Sequence, residues 1–456
     1  MAVMRMTEGK ITKQLAAYSF PLILGNVFQL TYNAVDSIIV GKFIGKEALA
    51  AVGTSSPVMN LVILGISGIC MGASVLMSEF FGAKNEEMLR KEMATTSVFG
   101  LYFSLIIVAL GLLFTEPLLI ALRVPSDILD ISVVYLRITF LGAPFTYFYN
   151  SISAALKSVG DSKTPLTFLM FASVLNGVLD LIFIGGLGFG IVCSAVTTVV
   201  AEGVSALLCI VYVYYRIPLL QLKPSEFHIN MDLLKSTLRY GGVTALQQSC
   251  QPIGKLLIQG AVNTMGVDVI AAFNALSRIE DYALMPEQSL AHGITTFTAQ
   301  NRGAKKEKRI VAGFRRGMLL ECGYWVFIGL MVFFFREPLM RLFVTQGEEG
   351  IVRLGSEYLG LMSLFYVFPA LTNGIQGFFR GMGNMTITLV GTIVQIGVRV
   401  IMVYLLTPFM GIVGIAVASA IGWSVMLVVE IPYYFWFMKR RRLHLAQEEA
   451  AAAETE

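Results

Sequence analysis

Twelve apolar stretches run through this 456-residue chain, most of them long enough to cross a membrane. A crossing helix needs about 20 mostly apolar residues. In hydrocarbon a backbone must close its own hydrogen bonds, which leaves helices or closed barrels. Barrel strands would show about ten residues of alternating polarity, and these stretches do not alternate. They fall approximately at 14–41, 49–81, 94–114, 131–155, 165–185, 190–215, 236–263, 268–300, 312–335, 354–377, 386–407 and 411–438. Several exceed the minimum, so tilted or kinked helices are expected. Charged residues make up only 14% of the chain, against about 25% in soluble domains, which excludes an ordinary soluble enzyme. A net charge of +4 gives no support to a nucleic-acid partner. The five cysteines (Cys70, Cys193, Cys209, Cys250, Cys322) lie in apolar runs without a C-x-x-C pair, and read as buried packing residues. The expected fold class is all-α integral membrane, with twelve transmembrane helices.

Basic residues orient the chain. With the N-terminus in the cytoplasm, 24 of the 34 Lys and Arg fall in inside segments or at their edges. Seven fall outside and three (Lys255, Arg278, Arg399) within stretches. This positive-inside bias places both termini in the cytoplasm of a multi-pass protein of the cytoplasmic (inner) membrane. The first apolar run is too long, and too interrupted by Pro21, Asn26 and Asp36, for a cleavable signal peptide. The tail opens with Lys439-Arg440-Arg441-Arg442, a stop signal able to meet anionic lipid.

The chain also repeats itself at a shift of 221–223 residues. Gly45 to Ala51 matches Gly266 to Ala272, Gly82-Ala83-Lys84 matches Gly303-Ala304-Lys305, and Gly72 matches Gly293. Tyr135-Leu136, Phe145 and Asn150 match Tyr358-Leu359, Phe368 and Asn373, and Gly190-Ile191-Val192 matches Gly411-Ile412-Val413. Six stretches per copy is an even number, so the copies are parallel repeats about an axis along the membrane normal. The expected domains are an N-terminal six-helix lobe (1–215), a cytoplasmic linker (216–235), a C-terminal six-helix lobe (236–438) and a tail (439–456). Two such lobes around a central cleft suit alternating access better than a static channel or scaffold.

The opening residues carry a resemblance. Phe20-Pro21-Leu22-Ile23-Leu24-Gly25-Asn26 is followed by Gln29, Tyr32, Asn33, Val35-Asp36 and Val40-Gly41. Then come Gly45, Ala48-Leu49-Ala50-Ala51-Val52-Gly53 and Pro57. With Gly82, Gly303 and the Asn301-Arg302-Gly303-Ala304 stretch, this resembles the multidrug and toxic compound extrusion (MATE) family. The resemblance covers nearly the whole chain. It implies secondary export of amphipathic, often cationic compounds, driven by inward flow of Na⁺ or H⁺, through a V-shaped pair of six-helix lobes. No Gly-Lys in the chain is followed by Ser or Thr, so there is no P-loop and no ATP-driven step. The loop after the second stretch lacks the Asp-Arg signature of the major facilitator class. No nucleophile–base pair or metal cluster suggests an enzyme, and no cofactor beyond the coupling ion is expected.

An ionisable group at mid-bilayer costs at least about 2.5–3.5 kcal/mol and calls for a partner or a task. Asp36 lies in the first stretch and Asp180 in the fifth, with Asn176 one turn earlier on the same helix face. Thr197 and Thr198 follow in the sixth. Two carboxylates, an amide and a hydroxyl form an oxygen set for a hard cation, or can share a proton. By the resemblance, Asp36, Asn176, Asp180 and Thr198 are the coupling-ion positions, with Na⁺ on Asp36 and Asp180 if sodium is the ion. Pro21 matches a proline at which the first helix bends in some members. It removes a backbone hydrogen bond and makes a hinge, and Pro286 is a second hinge candidate. The alternative is that the two acids only hydrogen-bond within the bundle.

The second half breaks the symmetry. Asp36 and Asp180 correspond to Ile258 and Met402. The eighth stretch carries Arg278, Glu280, Asp281, Glu287 and His292, and the eleventh Arg399. Some MATE members have a Glu on the seventh and an Asp on the tenth helix, where this chain has Lys255 and no Asp. Lys255 either pairs with Glu280, Asp281 or Glu287, or faces the cleft and meets anionic substrate groups. His292 reads as a packing or hydrogen-bonding residue. The substrate candidates are Tyr32, Asn33, Phe145, Asn150, Lys255 and Glu280, with aromatic faces available for cation–π contact. The leading expectation is a cation-coupled antiporter acting as a monomer on small amphipathic molecules in the bilayer. The alternative is a flippase of the same superfamily for lipid-linked oligosaccharide or other anionic cargo, which a basic cleft would favour.

Overall fold

The computed structural model describes residues 3–344 and 347–455, and the side chains of residues 36–38, 40, 41, 46, 49 and 448–455 lie outside the description. Among the described residues there are fourteen α-helices, one π-helical turn, two short 3-10 turns and no strand. The first half comprises α1 (Ile11–Phe43), α2 (Lys46–Gly82), α3 (Glu86–Ala121), α4 (Ser126–Leu141), α5 (Ala143–Ser158), α6 (Lys163–Asp180) and α7 (Ile191–Arg216). The second comprises α8 (Met231–Val262), α9 (Val267–Gly303), α10 (Glu307–Arg341), α11 (Glu349–Phe365), α12 (Val367–Gly381), α13 (Met385–Met410) and α14 (Val413–Thr455).

Each apolar stretch becomes a helix, except that two become broken pairs. The fourth splits at Gly142, where Pro144 opens α5 and its ring would meet the Phe140 carbonyl of a continuous helix. The tenth splits at Tyr366, four residues after Met362 and just ahead of Pro369, and α11 and α12 meet at a bend of 45°. The two breaks flank Phe145 and Phe368, positions matched by the internal repeat. Among the described residues eight helices, or nine with the bent pair, are long and apolar enough to cross a membrane. α8 and α9 are equally long but carry Lys235, Arg239 and Lys255, and Arg278, Glu280, Asp281 and Glu287.

The chain forms two compact units. The first comprises Met1–Ser249, Gln288–Gly317 and Gly377–Met385; the second comprises Cys250–Glu287, Met318–Gln376 and Thr386–Glu456. The division therefore runs through α8, α9, α10 and α12.

In the first unit, helices approach through glycine. Between apolar helices in lipid there is little hydrophobic drive, so close backbone packing supplies the attraction. A Cβ on Gly82 would lie 1.9 Å from the Gln300 carbonyl oxygen, and one on Gly303 would lie 1.9 Å from that of Glu79. The two glycines are repeat equivalents, each seated on the other's helix end. Beyond them Lys84 (φ 58°) and Lys305 (φ 55°) take the left-handed conformation that turns the chain into α3 and α10. Asn85 then caps α3, accepting from the Met88 amide at 3.0 Å. Arg302 pairs with Glu79 beside this crossing.

Residues 4–9 lie across the same end of the unit. The Met4 amide donates to Val159 O (3.0 Å) and the Met6 amide to Gln300 Oε1 (2.8 Å). Arg309 donates to Met6 O (3.1 Å), Gly9 O (2.9 Å) and Gln14 Oε1 (2.8 Å), and Lys306 to Thr7 O (3.0 Å). Met6 is fully buried. The second unit is built on an apolar core that includes Leu276, Met362, Val403 and Trp423.

Gly303→Ala sets a methyl against backbone that cannot move aside, whereas a Cβ at Gly53 meets nothing within 4 Å. Overpacking of this kind costs about 1–3 kcal/mol. Gly303→Ala is expected to lower the melting temperature in detergent by several degrees, and Gly53→Ala to leave it within error. Equal melting of the two variants would refute the close-crossing account.

Candidate functional site

Asp180 ends α6 in the first unit. It is fully buried, and Asn176, one turn before it, is 4% exposed. A π-helical turn, Leu181–Gly186, follows immediately. Such turns insert a residue into the helical ladder and are frequent at functional sites. From α7, Thr197 donates its hydroxyl to Asp180 Oδ1. Thr198 instead donates to Ser194 O of its own helix at 2.9 Å. Of the two threonines in this stretch, the geometry thus brings Thr197 to the carboxylate and turns Thr198 away, because successive helical residues point about 100° apart.

α1 packs along α6. A Cβ on Gly25 would lie 2.3 Å from Leu166, and one on Gly177 would lie 3.7 Å from the Tyr32 ring. Tyr32 therefore sits beside the helix that carries Asn176 and Asp180. Asn33 is exposed, and Asp36 lies outside the described residues. Pro21 and Pro286 lie within α1 and α9, both of which continue as helix through them.

A cavity of about 150 Å³ opens elsewhere in the first unit. Tyr18, Asn26, Asn150, Lys157, His292 and Thr296 are among its walls, and no acidic residue lines it. Hydrogen bonds hold the walls in place: Asn26 Nδ2 donates to Ser289 Oγ (3.0 Å), Asn150 Nδ2 to Thr146 O (2.8 Å), and the Tyr18 and Thr296 hydroxyls meet at 3.0 Å. Lys157 makes no ion pair among the described residues. The sequence places it at the edge of a cytoplasmic loop, yet its side chain lines the cavity. The available signal was its spacing from Asn150, seven residues away and on one face of α5. His292 also lies on this wall.

The remaining candidates lie elsewhere. Phe145 is 43% exposed and packs towards Gly203 of α7. Lys255 and Glu280 belong to the second unit. Lys255 Nζ pairs with Asp281 Oδ1 at 2.7 Å, which selects one of the three ion pairs open to it, and Glu280 accepts from the Tyr358 hydroxyl at 2.7 Å. Two further acids of the first unit, the buried Glu92 and the partly buried Glu202, accept from hydroxyls. Glu92 accepts from Thr237 (2.5 Å) and Thr96 (3.2 Å), and Glu202 accepts from Thr146 (2.7 Å).

Known proteins extend this picture. The MatE family model matches residues 21–182 and again residues 244–405, the same repeat offset that the sequence shows. The probable multidrug resistance protein YpnP of Bacillus subtilis (strain 168) is 29% identical over 84% of this chain and 85% of its own. YoeA, a probable multidrug resistance protein of the same organism, is 27% identical over 97% of both chains. A solved outward-facing conformation of a multidrug resistance MATE family transporter of the MOP superfamily matches with a TM-score of 0.88 at 23% identity. That match covers 95% of this chain and 97% of the other, and establishes a shared fold. The family model alone spans well over half of the chain, in two copies at the repeat offset, and the chain therefore belongs to the MatE family.

Proposed function

We propose that this protein is a cation-coupled antiporter that exports amphipathic organic compounds across the cytoplasmic membrane. The observation that carries the reading is the fully buried Asp180, set at the start of a π-helical turn with Asn176 one turn away and the Thr197 hydroxyl upon it. A buried acid with an amide and a hydroxyl close by is suited to taking up H⁺ or Na⁺. In this reading Asp36 completes the set from α1, and Thr197 takes the place of Thr198. Family membership and the names of its relatives support export of drug-like molecules.

The accompanying architecture is twelve transmembrane helices in two parallel six-helix lobes, with both termini cytoplasmic and a monomer sufficient. α1, α8, α9 and the bent pair α11–α12 complete the twelve. Cation entry at Asp36 and Asp180 favours one of two states. Cargo is expelled because its affinity differs between them.

A second reading concerns cargo charge. The cavity in the first unit has Lys157 and His292 on its walls and no acid, which favours an anionic group in that position. Lys255, already paired with Asp281, lends this reading little.

Efflux from reconstituted vesicles under imposed Na⁺ or H⁺ gradients tests coupling. Asp36→Asn and Asp180→Asn are each expected to abolish gradient-driven transport. Thr197→Val removes a hydrogen bond to a charged group, worth about 1.5–3 kcal/mol, and is expected to raise the half-saturating cation concentration at least about tenfold, with Thr198→Val close to wild type. Full gradient-driven transport by a folded Asp180→Asn protein would remove the site. Cargo charge is tested with Lys157→Gln, which is expected to slow export of carboxyfluorescein more than that of ethidium. Equal effects on the two dyes would separate the cavity from cargo recognition.

A further inference from the structure

Two glutamates of the second unit are buried without an ion pair among the described residues. Glu287 of α9 and Glu321 of α10 are each fully inaccessible, near the middle of long helices. Among the described residues none of their four carboxyl oxygens meets a donor at full hydrogen-bond geometry, although the Asn373 side chain reaches towards Glu287. They stand within electrostatic range of each other. The Tyr366 hydroxyl, at the break between α11 and α12, is also buried and unpartnered, and lies within electrostatic range of Glu287. Asn373 of α12 adjoins Glu287. Gly374, on the next position, lets α12 approach α10: a Cβ there would stand 2.4 Å from Met318 Sδ and 3.5 Å from Glu321 Cγ.

One uncompensated charge at this depth costs about 2.5–3.5 kcal/mol or more, and two adjacent carboxylates in low dielectric cannot both stay ionised. The arrangement therefore demands positive charge. The titratable groups in electrostatic range of the pair are Cys322 and Tyr324 on α10 and Tyr366 between α11 and α12, none of them basic; Glu280, further along α9 and in range of Tyr366, faces Arg399 and Lys255. Tyr324 already donates to Ala283 O at 3.0 Å. No group of three or more His, Cys, Asp or Glu that could hold a metal ion occurs among the described residues, so a divalent ion lacks ligands. Two carboxyls, an amide and a phenol suit a single positive charge.

We propose that Glu287 and Glu321 form a second cation-loading site, which takes one H⁺ or one Na⁺ between their carboxyls with Asn373 and Tyr366 at its edge. It is not a copy of the Asp180 site, since the repeat places Gly65 and Phe99 at the equivalent positions. Pro286 lies directly before Glu287 and leaves α9 without one backbone donor at that turn. α9 can therefore bend at the point where the site loads, and the compact second unit ends at Glu287 in that helix. The use of this site in coupling rests on the antiport reading above, whereas its existence as a cation site does not.

The test is made on purified full-length protein in detergent, without transport. Wild type, Glu287→Gln, Glu321→Gln and the double variant are compared by infrared difference spectroscopy of the protonated carboxyl stretch, and by melting in NaCl against choline chloride at fixed pH. A protonated-carboxyl band present in wild type and missing in the double variant identifies the ligand as H⁺. Stabilisation by NaCl in wild type that the double variant lacks identifies it as Na⁺. A double variant unchanged in both readouts overturns the proposal. Should the double variant fail to fold, the singles decide: each must alter the band or the Na⁺ response, and two unaltered singles overturn it equally. Loss of transport in Asp180→Asn with an intact band would separate the two sites.

Discussion

A polypeptide in hydrocarbon must satisfy its own backbone hydrogen bonds, and every other feature of this structure follows from that requirement. It makes each apolar stretch a helix and leaves helix packing to do what apolar burial does in water. The packing is backbone on backbone where it is tightest. At Gly82 and Gly303 a single methyl would overlap a carbonyl of the facing helix. The turns beyond these glycines need left-handed lysines at Lys84 and Lys305, and the strap of residues 4–9 is held by Gln300, Lys306 and Arg309 close by. One duplicated Gly-Ala-Lys motif thus organises an entire end of the first unit.

The same medium sorts the charged residues. Arg302 pairs with Glu79 and Lys255 with Asp281, and Glu92 and Glu202 are held by threonine hydroxyls. Beside those, three features stand out: Asp180 at its π-helical turn, Lys157 on the cavity wall, and the Glu287–Glu321 pair. They are of different kinds, a buried acid with the Thr197 hydroxyl upon it, an ammonium beside a polar space, and two buried acids proposed to share a cation.

How far the sequence could be read depends on which physical signal each feature leaves. Asn176 and Asp180 are four residues apart on one helix, and that spacing alone puts them on a common face. Thr197 and Thr198 are adjacent, so the choice between them turns on helix rotation, which depends on how α7 packs against α6. Lys157 read as one more basic residue at a loop edge, because its spacing from Asn150 is meaningful only once both are known to face a cavity. Glu287 drew notice as an intramembrane acid, yet nothing in its neighbourhood along the chain points to Glu321, which lies one helix further on. The breaks at Gly142 and Tyr366 were written in Pro144 and Pro369, but apolar runs that continue across them concealed both.

The sequence by itself determined the helical class, the positions of the apolar helices, the duplication and the family, because hydrocarbon thickness and backbone hydrogen bonding act on local composition, and repeats are visible in register. Only the tertiary structure decided which polar groups meet: Thr197 with Asp180, Lys255 with Asp281, Lys157 with the cavity. Those pairings join residues on different helices, and their geometry follows from the rotation and close approach of packed helices, which no single helix encodes.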